Sequence, residues 1–402
     1  MKILIADSFP EFAVNRLREF AEGVRYEPKL GAAELPEAIQ DSGVLIVRST
    51  KVTAACIEAS NNLSLVIRAG AGVNTIDVKA ASSRGVYVAN CPGKNSVAVA
   101  ELALGLILAL DRRIADNVID IRGGAWNKGE YSKADGVHGK RLGVIGVGQI
   151  GIELIRRAQA CGLKLEAWSR SLTPERAAEL GVRHCPTLEE LVERCEIVSV
   201  HLALNDDTRG LVSADLIGRM RPGTIFINTA RAEVVDEDAL LEAVQSGKIR
   251  AGLDVFRDEP EGKSGTVETP WSGVADAYIT HHIGASTQQA QNAVAAEAIA
   301  IVREYQRTGR VRNWVNRCLF TEARWQLVVR HFDRPGVLAN VMTTLKDGSI
   351  NAEEIENVIF DGRKAACCII QLDDRPSDEM LAQIRSRTDE IISAELVDLQ
   401  SG

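Results

Sequence analysis

Leu142-Gly143-Val144-Ile145-Gly146-Val147-Gly148-Gln149-Ile150-Gly151 is the stretch on which the reading of this chain turns. A short apolar strand runs directly into Gly-x-Gly-x-x-Gly, and a helical pattern follows from Gln149 to Ala160. Each glycine has a physical reason. Gly146 permits the tight turn, Gly148 lets backbone approach a pyrophosphate, and Gly151 allows close helix–strand packing. The start of the helix, at Gln149 and Ile150, adds N–H donors and the positive end of its dipole. Any glycine-rich turn can produce this spacing alone. The strand before it and a second strand at Leu165–Trp168 favour a dinucleotide site.

The end of that second strand should carry an acid for the adenosine ribose. It reads Ala167-Trp168-Ser169-Arg170 instead, and Glu166 lies too early, inside the strand. Ser169 takes the expected acidic position and Arg170 follows it. A hydroxyl beside a guanidinium suits a 2′-phosphate, so NAD and NADP both stay open.

Working outward, apolar runs alternate with helical stretches. Lys2–Ala6, Val44–Val47, Leu65–Arg68 and Val86–Ala89 read as buried strands, separated by helical patterns such as Glu11–Ala21, Ala54–Ala59 and Asp77–Ser83. A second series holds Leu142–Ile145, Leu165–Trp168, Ile197–His201, Thr224–Asn228, Ala251–Val255 and Ala277–Thr280, with a helical pattern at Glu237–Ser246. A long helix beginning near Ser96 stands between the two series. Continuous apolar strands alternating with helices imply parallel sheets. The last region changes pattern. Strands at Leu327–Arg330, Ile355–Ile359, Ala365–Leu372 and Ala394–Leu399, with helices at Pro335–Leu345 and Asp378–Thr388, give a βαββαβ order. The expected fold is therefore α/β: two doubly wound, Rossmann-like parallel-sheet domains and a ferredoxin-like tail. Arg307 to Ala323 reads as the linker.

The whole chain bounds the function. At 402 residues it should hold two or three domains. It is 46% apolar and 25% charged, which excludes disorder and low complexity. The net charge of −8 disfavours nucleic acid and anionic membranes as partners. Val97–Leu110 is the longest apolar stretch, but it contains Glu101 and is too short to span a bilayer. MKILIADSFP reads as a strand and turn rather than a leader. The eight cysteines (56, 91, 161, 185, 195, 318, 367 and 368) show no metal or redox spacing. They read as reduced thiols of a cytoplasmic protein with no metal.

Further motifs follow in one order: Asn228-Thr229-Ala230-Arg231, Gly252-Leu253-Asp254-Val255-Phe256, Asp258-Glu259-Pro260, and His281-His282-Ile283-Gly284-Ala285-Ser286-Thr287. With the dinucleotide turn, they make residues 1–316 resemble the D-isomer-specific 2-hydroxyacid dehydrogenases. The tail, from His331-Phe332-Asp333-Arg334-Pro335-Gly336-Val337-Leu338, resembles an ACT regulatory domain. The resemblance implies a substrate-binding domain from 1–95 and 286–316, a dinucleotide domain from 96–285, and an ACT domain from 324–402.

Oxidising a 2-hydroxy acid needs a hydride acceptor and a base near neutral pKa, for which histidine is suited. The sequence has six histidines, and the family motif points to the one before Ile-Gly, His282. Proline is common just before it; this chain has His281. The resemblance further implies Glu259 as the acid supporting that imidazole and Arg231 as the two-pronged partner of the substrate carboxylate. It places Asp254 against the nicotinamide and His201, Thr229, Ala230 and Gly284 along the cofactor. Arg48, the loop Ala71-Gly72-Val73, and Asn95 at the crossover are the implied substrate contacts. Arg68 and Lys51 stand near enough in pattern to join Arg48 on a phosphate. The segment after Ser49, however, is one residue shorter than in many relatives that bind a phosphorylated acid. The implied reaction is NAD(P)-dependent oxidation of D-3-phosphoglycerate. Glyoxylate or hydroxypyruvate reduction is the alternative, and a cofactor-sensing interaction protein on the same fold is the alternative of another class. A homodimer or homotetramer is implied, with an amino-acid effector at the tail near His331 and Asn351. Asp333, which stands where asparagine is usual, opposes an effector carboxylate.

Overall fold

The computed structural model describes residues 1–260 and 265–399. The chain divides into two compact units, Met1–Asn316 and Arg317–Gly402.

The first unit holds two parallel sheets. One has the spatial order Gly23–Tyr26, Lys2–Ile5, Val44–Val47, Leu65–Arg68, Tyr87–Asn90. Side chains alternate across it, as the strand period requires. Ile3, Ile5, Val44, Ile46, Leu65 and Ile67 face one core. Leu4, Leu45, Val47, Val66 and Val88 face the other, with Leu35, Ile39, Cys56 and Ile57. Burial on both faces is why these strands read as unbroken apolar runs. The first core is completed from far along the chain: Ala295, Ala298, Ile301 and Val302 of the helix Gln288–Thr308 pack into it. Thr287 caps that helix through a 3.1 Å bond from the Ala290 N–H.

The stretch expected to be a linker is attached to this sheet over its first half. Tyr87–Asn90 is an edge strand whose outward N–H groups need acceptors. The Asn316 side chain accepts from the Val88 N–H at 2.8 Å. Val315 N–H donates to the Val88 carbonyl at 2.8 Å. Trp314 packs edge-on against Tyr87. Trp314, Val315 and Asn316 together outweigh the polar composition around them.

The second sheet runs Ala277–Ile279, Ile249–Leu253, Thr224–Asn228, Ile197–Val200, Arg141–Ile145, Lys164–Trp168, Arg183–His184. Its order reverses between Arg141–Ile145 and Ile197–Val200, which pair directly. Ligands of open α/β sheets bind beyond the carboxyl ends of the strands at such a reversal. The helix Ser96–Arg112 connects the two sheets. No described helix is long and apolar enough to cross a membrane.

The strands Gly23–Tyr26 and Arg183–His184 and the helix Ile114–Arg122 were not expected from the sequence. Both strands lie on sheet edges, and neither has a fully buried residue; the helix buries none either. None has the apolar run or stripe that marks an element.

The second unit is a four-stranded antiparallel sheet ordered Ala352–Ile359, Ala365–Leu372, Trp325–Phe332, Ile391–Asp398. Helices Val337–Asp347 and Asp378–Arg385 bury Val341, Leu345, Leu381 and Ile384 against Leu327, Val329, Cys368 and Ile370. The first of these helices starts at Val337 rather than Pro335, because Gly336 takes a left-handed turn at φ 93°. All eight cysteines are free thiols.

Candidate active site

One row of residues crosses the second sheet: Trp168, Ile145, Val200, Asn228, Leu253 and Ile279 are neighbours in register. The next residue of each strand leaves the sheet on the same side. These are Ser169, Gly146, His201, Thr229, Asp254 and Thr280. Candidates far apart in sequence therefore stand along one rim.

The rim fits a dinucleotide. A side chain on Gly146, at φ 96°, would lie 2.5 Å from the His201 carbonyl. One on Gly151 would lie 2.2 Å from the Gly146 carbonyl. Above Gly148, at the mouth of the helix Gln149–Ala160, the space is open. Glycine is thus demanded by the fold at two positions, and at the third it leaves a cradle. Two buried polar atoms on the same rim, Thr229 Oγ1 and His201 Nδ1, have no partner among the described residues. His201 Nε2 lies 2.8 Å from Ser199 Oγ, and burial pushes the imidazole down to about 4, so it is neutral at pH 7. The Gln149 side chain lies across Gly93, at the crossover from the first sheet. Glu166 faces away from the rim and is held by Arg194 at 2.8 Å and Arg183 at 3.0 Å. Ser169 stands beside the glycine turn, because Gly146 N–H donates to the Trp168 carbonyl at 2.8 Å. Arg170 pairs with Asp207, and both side chains are exposed. Such a pair contributes about 0–1 kcal/mol and can open for another anion.

His282 follows the edge strand Ala277–Ile279 on a loop built around Asp254. That carboxylate is 1% exposed. Its Oδ1 accepts from Ile283 N–H at 2.8 Å and Thr280 Oγ1 at 2.6 Å; its Oδ2 accepts from Gly284 N–H at 2.7 Å. A side chain at 284 would press on Oδ2 at 2.9 Å, so Gly284 keeps the loop close. Between these anchors His282 is bent to φ 52°, a backbone state that costs a bulky residue of order 1–3 kcal/mol. The bend brings Nδ1 to 2.7 Å from Glu259 Oε2, leaving Nε2 for a substrate. Glu259 Oε1 is itself fixed by the Phe256 N–H at 3.2 Å. The Glu259 hydrogen bond holds the imidazole above its ordinary 6.5, against the opposing effect of burial.

A cavity of about 820 Å³ opens onto this pair, and its lining includes Arg231, Arg68, Ser49 and Asn74. Arg231 follows the strand Thr224–Asn228; Asn228 braces it, donating from Nδ2 to the Arg231 carbonyl at 2.9 Å. A side chain on Gly72 would lie 3.2 Å from Arg231 Nη2, so the Gly72 loop faces the guanidinium closely. Among the described residues, the N–H groups of Ala71, Gly72 and Val73 have no acceptor within the chain. A guanidinium opposed by free N–H groups offers the donor geometry that a carboxylate can accept. A smaller cavity of about 170 Å³ is lined by Arg48, Asn95 and Ser286, and shares Arg68 and His282 with the larger one. Arg68 is held below its ordinary value by burial and by the charges of Arg231 and Arg48. Three guanidinium groups therefore converge.

Residues 104–284 match the family model described as "D-isomer specific 2-hydroxyacid dehydrogenase, NAD binding domain". A D-3-phosphoglycerate dehydrogenase of Methanocaldococcus jannaschii is 35% identical over 367 residues, 91% of this chain and 68% of that protein. A hydroxypyruvate reductase of Thermotoga maritima is 41% identical over 268 residues, 66% of this chain and 85% of that protein. The chain belongs to the D-isomer-specific 2-hydroxyacid dehydrogenase family. Among solved structures, an NAD⁺-bound 3-phosphoglycerate dehydrogenase of Entamoeba histolytica superposes with a TM-score of 0.65 at 27% identity, covering 79% of this chain and 99% of that one. Against the phosphoglycerate dehydrogenases of Mycobacterium leprae and Rattus norvegicus the chain spans only 56% and 54% of their length.

In this member of the 2-hydroxyacid dehydrogenase family the structure brings Arg231, Glu259 and His282 together at one cavity and sets Arg48 and Asn95 at its smaller neighbour. It gives Asp254 a task the sequence did not announce, that of holding the His282 loop. It also reveals Asp7. That carboxylate accepts the N–H groups of Arg48, Ser49 and Thr50 at 2.7, 2.9 and 3.0 Å and so shapes the Arg48 loop. These bonds hold Asp7 below its ordinary value despite burial. The signal in sequence was faint: an acid two residues beyond the apolar strand Lys2–Ile5.

Proposed function

We propose that the chain is an NAD(P)-dependent D-2-hydroxyacid dehydrogenase whose substrate is D-3-phosphoglycerate, the acid that opens phosphorylated serine synthesis. The observation that carries this is the His282–Glu259 pair at 2.7 Å on the same cavity as Arg231. Arg231 and the N–H groups of residues 71–73 hold the substrate carboxylate. His282 Nε2 then takes the proton from the C2 hydroxyl, while Glu259 fixes the tautomer and supports the imidazolium that forms. A bound nicotinamide supplies one chemistry, acceptance of the C2 hydrogen as hydride. Arg48 and Arg68 stand by for the phosphate. The first lobe, 1–95 with 286–316, would serve the substrate, and 96–285 the dinucleotide; their closure would exclude water.

Steady-state assays test this with D-3-phosphoglycerate and, in the reverse direction, 3-phosphohydroxypyruvate, hydroxypyruvate and glyoxylate, each with both nicotinamides. The phosphorylated pair is expected to win. His282→Ala should lower kcat by roughly 10²–10⁴, and near-normal turnover would refute the assignment. A hydroxypyruvate or glyoxylate reductase is the second reading. It is favoured by the Thermotoga maritima relative and by the absence of an acid at Ser169. A preference for the unphosphorylated acids would decide for it.

The tail, from residue 324 on, is proposed as an ACT-type regulatory domain binding an amino acid between copies. His331 pairs with Ala366, and Ala366 with Ile359, while Asn351 adjoins Ala352 at the Trp325 end of the sheet. Six strand residues, about 20 Å, separate these ends. One copy alone cannot close both on an effector, so a homodimer or homotetramer fits. Free thiols throughout suit a reducing compartment such as the cytoplasm.

A further inference from the structure

Four arginines line the larger cavity: Arg68, Arg209, Arg231 and Arg257. Arg257 is neutralised, its terminal nitrogens facing Asp238. Arg68 and Arg231 belong to the site already described. Arg209 has no assigned task, and its side chain has no partner among the described residues, although its neighbour Asp207 turns away to pair with Arg170.

The backbone around Arg209 is fixed on both sides. Asn205 Oδ1 accepts the N–H groups of Asp207 and Thr208, each at 3.0 Å, forming a tight side-chain turn. Thr208 Oγ1 donates to the Ala203 carbonyl at 2.6 Å. Immediately after, Gly210 N–H donates to the Glu233 carbonyl at 2.8 Å and Val212 N–H to the Val234 carbonyl at 3.0 Å. Arg209 is thus pinned beside the segment that follows Arg231. Like charges on one cleft repel, and they are tolerated where an anion compensates them. One carboxylate satisfies Arg231 and the Gly72 loop. The cavity also carries Glu233, Asp236, Glu237, Asp238, Asp258 and Glu259, but among the described residues none of these acids pairs with Arg209, whose guanidinium is left for a second anionic group on the same molecule.

We propose that Arg209 is a specificity-determining residue that reaches across the cavity mouth to the C3 phosphate of a substrate whose carboxylate rests on Arg231. The inference rests on the dehydrogenase reading and deepens it. Discrimination against unphosphorylated acids then comes from both sides of the cleft. Arg48 and Arg68 act from the first lobe, and Arg209 from the dinucleotide lobe.

The test compares 3-phosphohydroxypyruvate with hydroxypyruvate, which differ only in the phosphate, in the full chain carrying Arg209→Ala or Arg209→Lys. Arg209→Ala is expected to raise KM for the phosphorylated acid roughly tenfold to a hundredfold more than for hydroxypyruvate, the range of a charged hydrogen bond, with kcat nearly constant. Arg209→Lys should recover part of the loss, since it restores charge without the two-pronged geometry. Thermal melting of each variant separates a folding defect from a binding one. Equal effects on both substrates, or none on either, overturn the inference while leaving the dehydrogenase reading intact. Rejection of 3-phosphohydroxypyruvate by the unaltered protein overturns the phosphorylated-substrate reading and this inference together.

Discussion

Proton transfer at a single imidazole sets how the enzyme responds to pH. Glu259 raises the His282 pKa above 6.5. In the oxidative direction His282 must start neutral, and the neutral fraction grows as pH rises through that elevated value. In the reductive direction it must start protonated, and that form persists below it. At neutral pH the shift therefore favours reduction. The expected outcome is that kcat/KM for oxidation climbs with pH to a plateau, its inflection above 6.5, while reduction falls over the same interval. Glu259→Gln keeps an acceptor for Nδ1–H but removes the charge, so both inflections should move to lower pH. Stopped-assay profiles from pH 5 to 9 read this directly; inflections unmoved by the substitution would remove Glu259 from its role. The residue types of this pair were legible in the chain, because few side chains other than histidine titrate near neutrality. Its geometry was not. The left-handed turn at His282 and the Asp254 bonds behind it are tertiary, and no local spacing encodes them.

Strand and helix junctions divide the glycines of the dinucleotide turn into two kinds. Gly151→Ala would drive a methyl onto the Gly146 carbonyl, so it should lower the melting temperature and weaken cofactor binding together. Gly148→Ala points into open space with an ordinary φ of −80°, so the fold should survive with an unchanged melting temperature. Cofactor affinity should nonetheless fall by tenfold or more, about 1.4 kcal/mol, as the methyl fills the cradle. Calorimetric titration with NAD⁺ and NADP⁺ checks both; normal affinity in the Gly148 variant would place the pyrophosphate elsewhere. Elements buried on both faces, such as Val44–Val47 and Thr224–Asn228, could be read from their unbroken apolar runs. The edge strand Gly23–Tyr26 and the helix Ile114–Arg122 could not, because half-exposed segments leave no periodic trace. Residues 310–316 misled for the opposite reason: a polar stretch is tied down by an unsatisfied sheet edge that only the folded chain presents.

Whole-molecule behaviour is written in what the surface leaves uncovered. Ile119 is 67% exposed and Trp126 79%, with Ile114, Val118 and Ile121 nearby in the chain. An exposed apolar group of this kind is the candidate contact surface for the proposed oligomer. Ile119→Asp combined with Trp126→Ala should therefore convert the proposed oligomer to smaller species, measured by light scattering after size exclusion; an unaltered mass would locate the contact elsewhere. The helix Gln288–Thr308 carries a different consequence. The first sheet closes its core with Ala295, Ala298, Ile301 and Val302, residues that leave the ribosome after the entire dinucleotide lobe. The segment made first covers that face only in part, with Phe9, Ala13, Val14 and Leu17, while the middle of the chain is contiguous in sequence. On that packing, the amino-terminal sheet is expected to reach its native core only after the middle of the chain has been made, which pulse-labelled hydrogen exchange during refolding would test.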